Sequence, residues 1–205
     1  MSTEKGCMKH ACSFIVAVFF LVCCSSIEGV NANSMESERQ KKIVKLFDYE
    51  VQNRAFALIC LQTLSKNEDN PVKKGFWDAY LTLERLNQKK YDPFAKKYNI
   101  TQEPKFMASF KASLLVMAYD WFPSYSLKTM HKATVRHVKK LEKMATLADE
   151  DDKEFFSYVV SQEMVQAKAI MLMIKGMEQQ AVELLADFVA KHNKTNRSEN
   201  RSKRE

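Results

Sequence analysis

Residues 155–174 read FFSYVVSQEMVQAKAIMLMI, a run without glycine or proline that carries a carboxylate in the middle of its apolar face. Wound as a helix at about 100° per residue, it brings Phe155, Val159, Ile170 and Met173 to one side, and Glu163 and Gln166 fall on that same side. An acid and an amide directed at a core must find partners, because an unpaired buried charge is costly. The partner is a metal, a cationic side chain or water. Whatever the chain folds into has to supply one of these at that level.

Composition narrows the fold class. Gly and Pro number four each in 205 residues, too few to turn a many-stranded sheet protein, and 11 Met join abundant Leu, Ala, Lys and Glu. The class is all-α. Of the five Cys, only Cys60 lies beyond residue 24, so the chain has neither a disulfide framework nor a CxxC pair for zinc. The net charge of +7 is concentrated at the C-terminus, where residues 191–205 hold six basic and two acidic side chains. What lies between the termini is close to balanced, which argues against nucleic acid as a partner.

Residues 14–24, FIVAVFFLVCC, follow Lys5 and Lys9 and precede Val30-Asn31-Ala32, the anatomy of a secretory signal peptide over residues 1–32. Two readings compete with cleavage. Residues 11–27 are uncharged and reach the low edge of a membrane-spanning length, so they could remain as an anchor. LVCC also loosely matches a lipoprotein cleavage box with Cys24 as the lipidated residue. The expected location is secreted, periplasmic or in the cell envelope, with a membrane-anchored protein as the alternative.

The rest divides into a helical domain, residues 33–191, and a basic tail, 192–205, whose lack of apolar residues predicts disorder. Apolar periodicity predicts helices at about 36–65 and 72–91, the latter interrupted by Asp92-Pro93, with a short turn over 94–100. A third helix begins at Pro104 and ends before Pro123. A fourth, capped by Ser124 or Ser126, runs to about 148. Then come the 155–174 helix and an amphipathic one over 177–192, with Lys175-Gly176 as the stop between them.

Polar residues recur on these apolar stripes. Glu50 and Arg54 lie on the first, Asn87 at the centre and Glu84 at the edge of the second, and Glu142 at the margin of the fourth, whose His131 is inside the stripe three turns away and whose His137 faces a margin. With Glu163, that is one acid for each of four long helices. Over residues 36–174 the order of acids resembles the ferritin-like superfamily, whose bundles hold two metals between two lone Glu and two Glu-x-x-His pairs. The resemblance implies a ferritin-like four-helix bundle core with extra short helices and a C-terminal amphipathic helix. It also implies Glu50, Glu84, Glu142 and Glu163 as ligands of iron or manganese. The motifs depart from the family at both imidazoles: this chain has Glu84-Arg-Leu-Asn87 and Glu163-Met-Val-Gln166. Amides are poor ligands for these metals.

The alternative to a metal is internal. Glu50 and Arg54 are spaced i,i+4, and a guanidinium inside the bundle would stand where the relatives hold cations, with Glu163, Asn87 and Gln166 completing a polar network. No nucleophile–base pair, phosphate loop or hydrolase motif is present. The sequence therefore leads to an exported, non-catalytic interaction or structural module with a degenerate dimetal site and no cofactor. A metal-binding or di-iron oxidoreductase-type protein is the alternative. The protein partner is open; the basic tail is suited to weak contact with anionic surfaces. Asn99, Asn193, Asn196 and Asn200 each begin a glycosylation acceptor triplet.

Overall fold

A computed structural model describes residues 32–104 and 108–202. It contains six helices packed as a bundle: α1 Ala32–Asn67, α2 Pro71–Lys97, α3 Ala108–Trp121, α4 Pro123–Ala145, α5 Lys153–Ile174 and α6 Glu178–Ser202. A single 3-10 turn, Glu150–Asp152, leads into α5, and no strand occurs among the described residues. No helix among them is long and apolar enough to cross a membrane. Apart from Ala32, the expected signal peptide, the alternative anchor over 11–27 and the Cys24 lipidation box lie outside the described residues.

Helix ends follow local chemistry where side chains can cap. Asn70 accepts from the backbone N–H of Val72 and of Lys73, each at 3.1 Å, and Pro71 fills the first helical position of α2. α2 and α5 stop in the same way. Asn99 (φ 53°) and Gly176 (φ 70°) adopt the left-handed conformation just past the two helices. The N–H of Ile100 returns to Ala95 O at 2.8 Å, and that of Met177 to Leu172 O at 2.9 Å.

Several boundaries differ from the periodicity. Pro93 does not break α2, which continues to Lys97. The ring removes one ladder bond, to the carbonyl of Lys89, on an exposed turn. Packing on both sides of it holds the helix together: Tyr91 and Ala95 are buried, and Phe94 stacks on Phe155 with ring centroids 3.6 Å apart. Neither serine caps α4. Phe122 is the N-cap residue without a side-chain bond, and Ser126 Oγ donates instead to Ala118 O at 3.2 Å. α6 runs to Ser202, through most of the segment expected to be disordered. Its sequence has no Gly or Pro, and its Lys, Arg and Glu residues are compatible with continued helix.

The core has two apolar halves. One gathers Leu61 and Leu64 of α1, Phe76 and Trp77 of α2, Leu127 of α4 and Ile170 of α5, with Leu185 of α6 against them. The other gathers Ile43 and Phe47 of α1, Tyr91 of α2, Leu141 of α4 and Phe155 and Phe156 of α5. The first half draws on the C-terminal part of α1 and α5 and the N-terminal part of α2 and α4; the second reverses this. Hence α1 and α5 run one way and α2 and α4 the other, so that α2 ends and α4 begins toward opposite ends of the bundle.

Phe47 anchors the second half, with ring centroids 5.6 to 5.8 Å from those of Tyr91, Tyr98, Phe155 and Phe156. Replacing it by Ala is expected to lower the unfolding free energy by about 3–5 kcal/mol in urea titrations. Trp121→Ala, at a site 71% exposed, should change it by no more than about 0.5 kcal/mol. Equal losses would contradict this division between core and surface.

Candidate functional site

Between the two apolar halves lies a layer of polar side chains, each at mid-helix. α1 contributes Glu50 and Arg54, one turn apart; α2 contributes Glu84 and Asn87; α4 contributes His137; α5 contributes Gln162, Glu163 and Gln166. All are buried except His137, which is partly buried.

Arg54 is the hub. Its Nη1 lies 2.7 Å from Glu84 Oε1, its Nη2 3.0 Å from Glu163 Oε2, and its Nε 3.2 Å from Glu50 Oε1. Nη1 also donates to Gln166 Oε1 at 3.0 Å. The amides link up beneath it. Gln166 Nε2 donates to Glu84 Oε1 at 2.6 Å and to Gln162 Oε1 at 2.7 Å, and Asn87 Nδ2 donates to Gln162 Oε1 at 2.9 Å. Three tyrosines close the edges: Tyr80 Oη donates to Gln166, Tyr91 Oη to Glu50 at 2.9 Å, and Tyr158 Oη to Asn87 at 2.6 Å. On the remaining side His137 Nε2 sits 2.5 Å from Glu50 Oε2.

The charges do not balance: three carboxyls face one guanidinium. Burial opposes ionisation of all three, and the outcome differs with the partners. At Glu50 the burial effect is outweighed by Arg54, His137 and the Tyr91 hydroxyl, so its carboxyl is held below the usual range. At Glu84 and Glu163 burial wins over Arg54, and both are raised. Glu84 Oε2 is buried without a hydrogen-bond partner, consistent with a carboxyl that gains by holding its proton. Burial disfavours the Arg54 charge, but Glu163, Glu84 and Glu50 more than compensate and fix it as a cation.

The expected network residues Glu50, Arg54, Asn87, Glu163 and Gln166 all lie in this layer. Glu84, expected at a stripe edge, is buried with them, but Glu142 is exposed and takes no part. It stands about 140° round α4 from His137, which occupies the inward position instead. His131 is partly buried two turns N-terminal to His137. Periodicity placed His137 at a margin, although its neighbours one turn away, Thr134 and Leu141, are both buried. Periodicity puts Tyr80 and Tyr91 on the inward face of α2 but does not single them out, or Tyr158 and Gln162, as members of the polar layer. Their signal is an i,i+4 ladder: Tyr80 precedes Glu84, Tyr91 follows Asn87, and Tyr158, Gln162 and Gln166 follow one another at that spacing.

A dimetal centre does not fit these residues. Glu84 Oε1 is taken by Arg54 and Gln166, the two positions that need imidazoles hold hydrogen-bonded amides, and a fixed cation sits among the acids. Among the described residues, the side chains that could hold a single ion are Glu50, His137 and Glu163, whose ligand atoms lie within 4.8 Å of one another. Arg54 contacts two of the three and repels a second cation. Cys60 adds no chemistry, since burial pushes its thiol up to about 12.

The pKa directions have a consequence for stability. Glu84 and Glu163 are raised above 4.5, so folding favours their protonated forms; that contribution is complete below the unfolded value and is lost as pH rises through the folded values. Glu50 is depressed, so its contribution is present above 4.5 and is lost as pH falls through its folded value. Glu84→Gln keeps the Oε1 acceptor and removes the ionisation. Relative to the wild type it should gain stability as pH rises from about 4.5 through the folded value of Glu84 and level off above it, read by urea melts across that range. A difference independent of pH would show that Glu84 does not titrate above its unfolded value.

In the comparisons with known proteins, no family model, no curated protein and no solved structure matches this chain, so the reading of its function rests on the geometry of the polar layer.

Proposed function

We propose that this chain is an exported, non-catalytic helical bundle of ferritin-like arrangement, acting as an interaction or structural module, in which Arg54 stands in place of a bound metal. The observation that carries the reading is a guanidinium in contact with carboxyls from α1, α2 and α5 at 2.7 to 3.2 Å. The path of the chain supports the arrangement: α1 and α2 are antiparallel, α4 and α5 are antiparallel, and a long connection joins the pairs. The side chains in the layer are engaged with one another in a way that suits holding the helices in register rather than turning over a substrate.

A second reading, a metal-binding protein, is favoured by one feature, the convergence of Glu50, His137 and Glu163. It would use iron or manganese held by two carboxylates and an imidazole. Elemental analysis of the purified chain separates the two. Under the first reading, iron and manganese are well below stoichiometric, and Arg54→Met costs about 3–5 kcal/mol because it leaves buried carboxyls without their cation. Stoichiometric metal that is lost in both His137→Ala and Glu163→Ala would establish the second reading and overturn the first.

A further inference from the structure

α3 is apolar on two opposite sides. Ala112, Val116 and Tyr119 form its buried side. About 180° away, Phe110, Leu114, Met117 and Trp121 follow an i, i+4, i+7, i+11 spacing and line up within about 60° over about 16 Å. Phe110 is 60% exposed, Met117 49% and Trp121 71%; Leu114 is partly buried. Such a ridge, uncovered by the other described residues, is unusual for a surface helix.

The ridge ends at the corner where α3 passes into α4, and the corner is aromatic: Phe122 and Tyr125 are both exposed. Tyr125 also begins a second feature. Along α4, Lys128, Lys132, Arg136, Lys139 and Lys143 share with it an arc of about 80°, opposite the buried Leu127, Thr134 and Leu141. All five bases are exposed, and the stripe runs about 22 Å. The acids on the two helices are Asp120 and Glu142, both exposed and both outside the ridge and the stripe.

We infer that the α3–α4 hairpin docks on an anionic lipid bilayer, the ridge and the corner entering the interfacial region and the α4 stripe lying over the headgroups. Trp, Tyr, Phe and Met exposed on one helix and its corner suit the boundary between headgroup and acyl chain, and the row of Lys and Arg that follows the corner on the next helix supplies attraction to anionic lipid. A second copy of the chain is a poor occupant, since two basic stripes would repel. A nucleic acid would use the stripe but leave Phe110, Leu114 and Met117 on the other helix without a role. This inference rests on the reading of the chain as an interaction module and names its partner. Metal content and the Arg54→Met loss can both come out as expected while vesicle binding fails, so the two are separable.

The two tryptophans make the test direct, because Trp77 is fully buried and Trp121 is not. The full chain is mixed with vesicles of phosphatidylcholine alone and with vesicles containing phosphatidylglycerol, some carrying brominated acyl chains. Sedimentation by itself does not decide, since residues 14–24 are apolar enough to partition unaided. On anionic vesicles Trp121 emission should shift to the blue and be quenched by bromine, and Trp121→Phe should abolish both signals. Lys132→Glu with Lys139→Glu should weaken the partitioning read from Trp121 by more than about tenfold, and the corresponding Gln pair by less. Three outcomes overturn the proposal: no shift on anionic vesicles, an equal shift on neutral vesicles that ignores the charge reversals, or binding of an oligonucleotide without any response of Trp121 to vesicles.

Discussion

The contact between Arg54 and the carboxyls of Glu50, Glu84 and Glu163 is the constraint on which the rest of the bundle depends. Three acids within reach of one another inside a protein cannot all ionise without a cation. Here the cation is covalently part of α1, one turn from the first of those acids, so the site is compensated by the chain itself. The remaining excess of carboxyls is met by raised proton affinity at Glu84 and Glu163 and by the approach of His137 to Glu50.

A buried ion network is a poor source of net stability, because desolvation consumes most of the Coulomb attraction. Its value lies in discrimination. A shift of α1 by one turn would carry Arg54 and Glu50 together out of the layer and strand Glu84 and Glu163 without their cation, whereas the apolar halves above and below would tolerate a slip far better. The polar layer thus fixes the register of α1, α2 and α5, while Phe47 and its aromatic neighbours on one side and Trp77 and Leu185 on the other supply the apolar burial.

Much of this layer was legible in the chain. The i,i+4 pairing of Glu50 with Arg54 and the inward direction of Asn87, Glu163 and Gln166 follow from helical periodicity, because these residues sit well inside their stripes. Margins were harder. Glu84 and Glu142 both lie at stripe edges, and one is buried while the other is exposed. A rotation of a few tens of degrees about the helix axis decides between the two, and only neighbouring helices set that rotation. The same ambiguity left His137 at a margin. Pro93 is a related case: its local penalty is real, but the burial of Tyr91 and Ala95 and the stacking of Phe94 on Phe155 together outweigh it.

The sequence by itself determined that the chain is helical, where most helices begin and end, and that buried acids demand a cation. These properties are local, set by propensity, capping and spacing along a single helix. Tertiary structure alone decided that Arg54 reaches acids on three helices, that Glu84 joins the network in place of Glu142, and that α3 keeps an apolar ridge and α4 a basic stripe uncovered by the other described residues. Each of those depends on which helices meet and at what rotation, and no single helix carries that information.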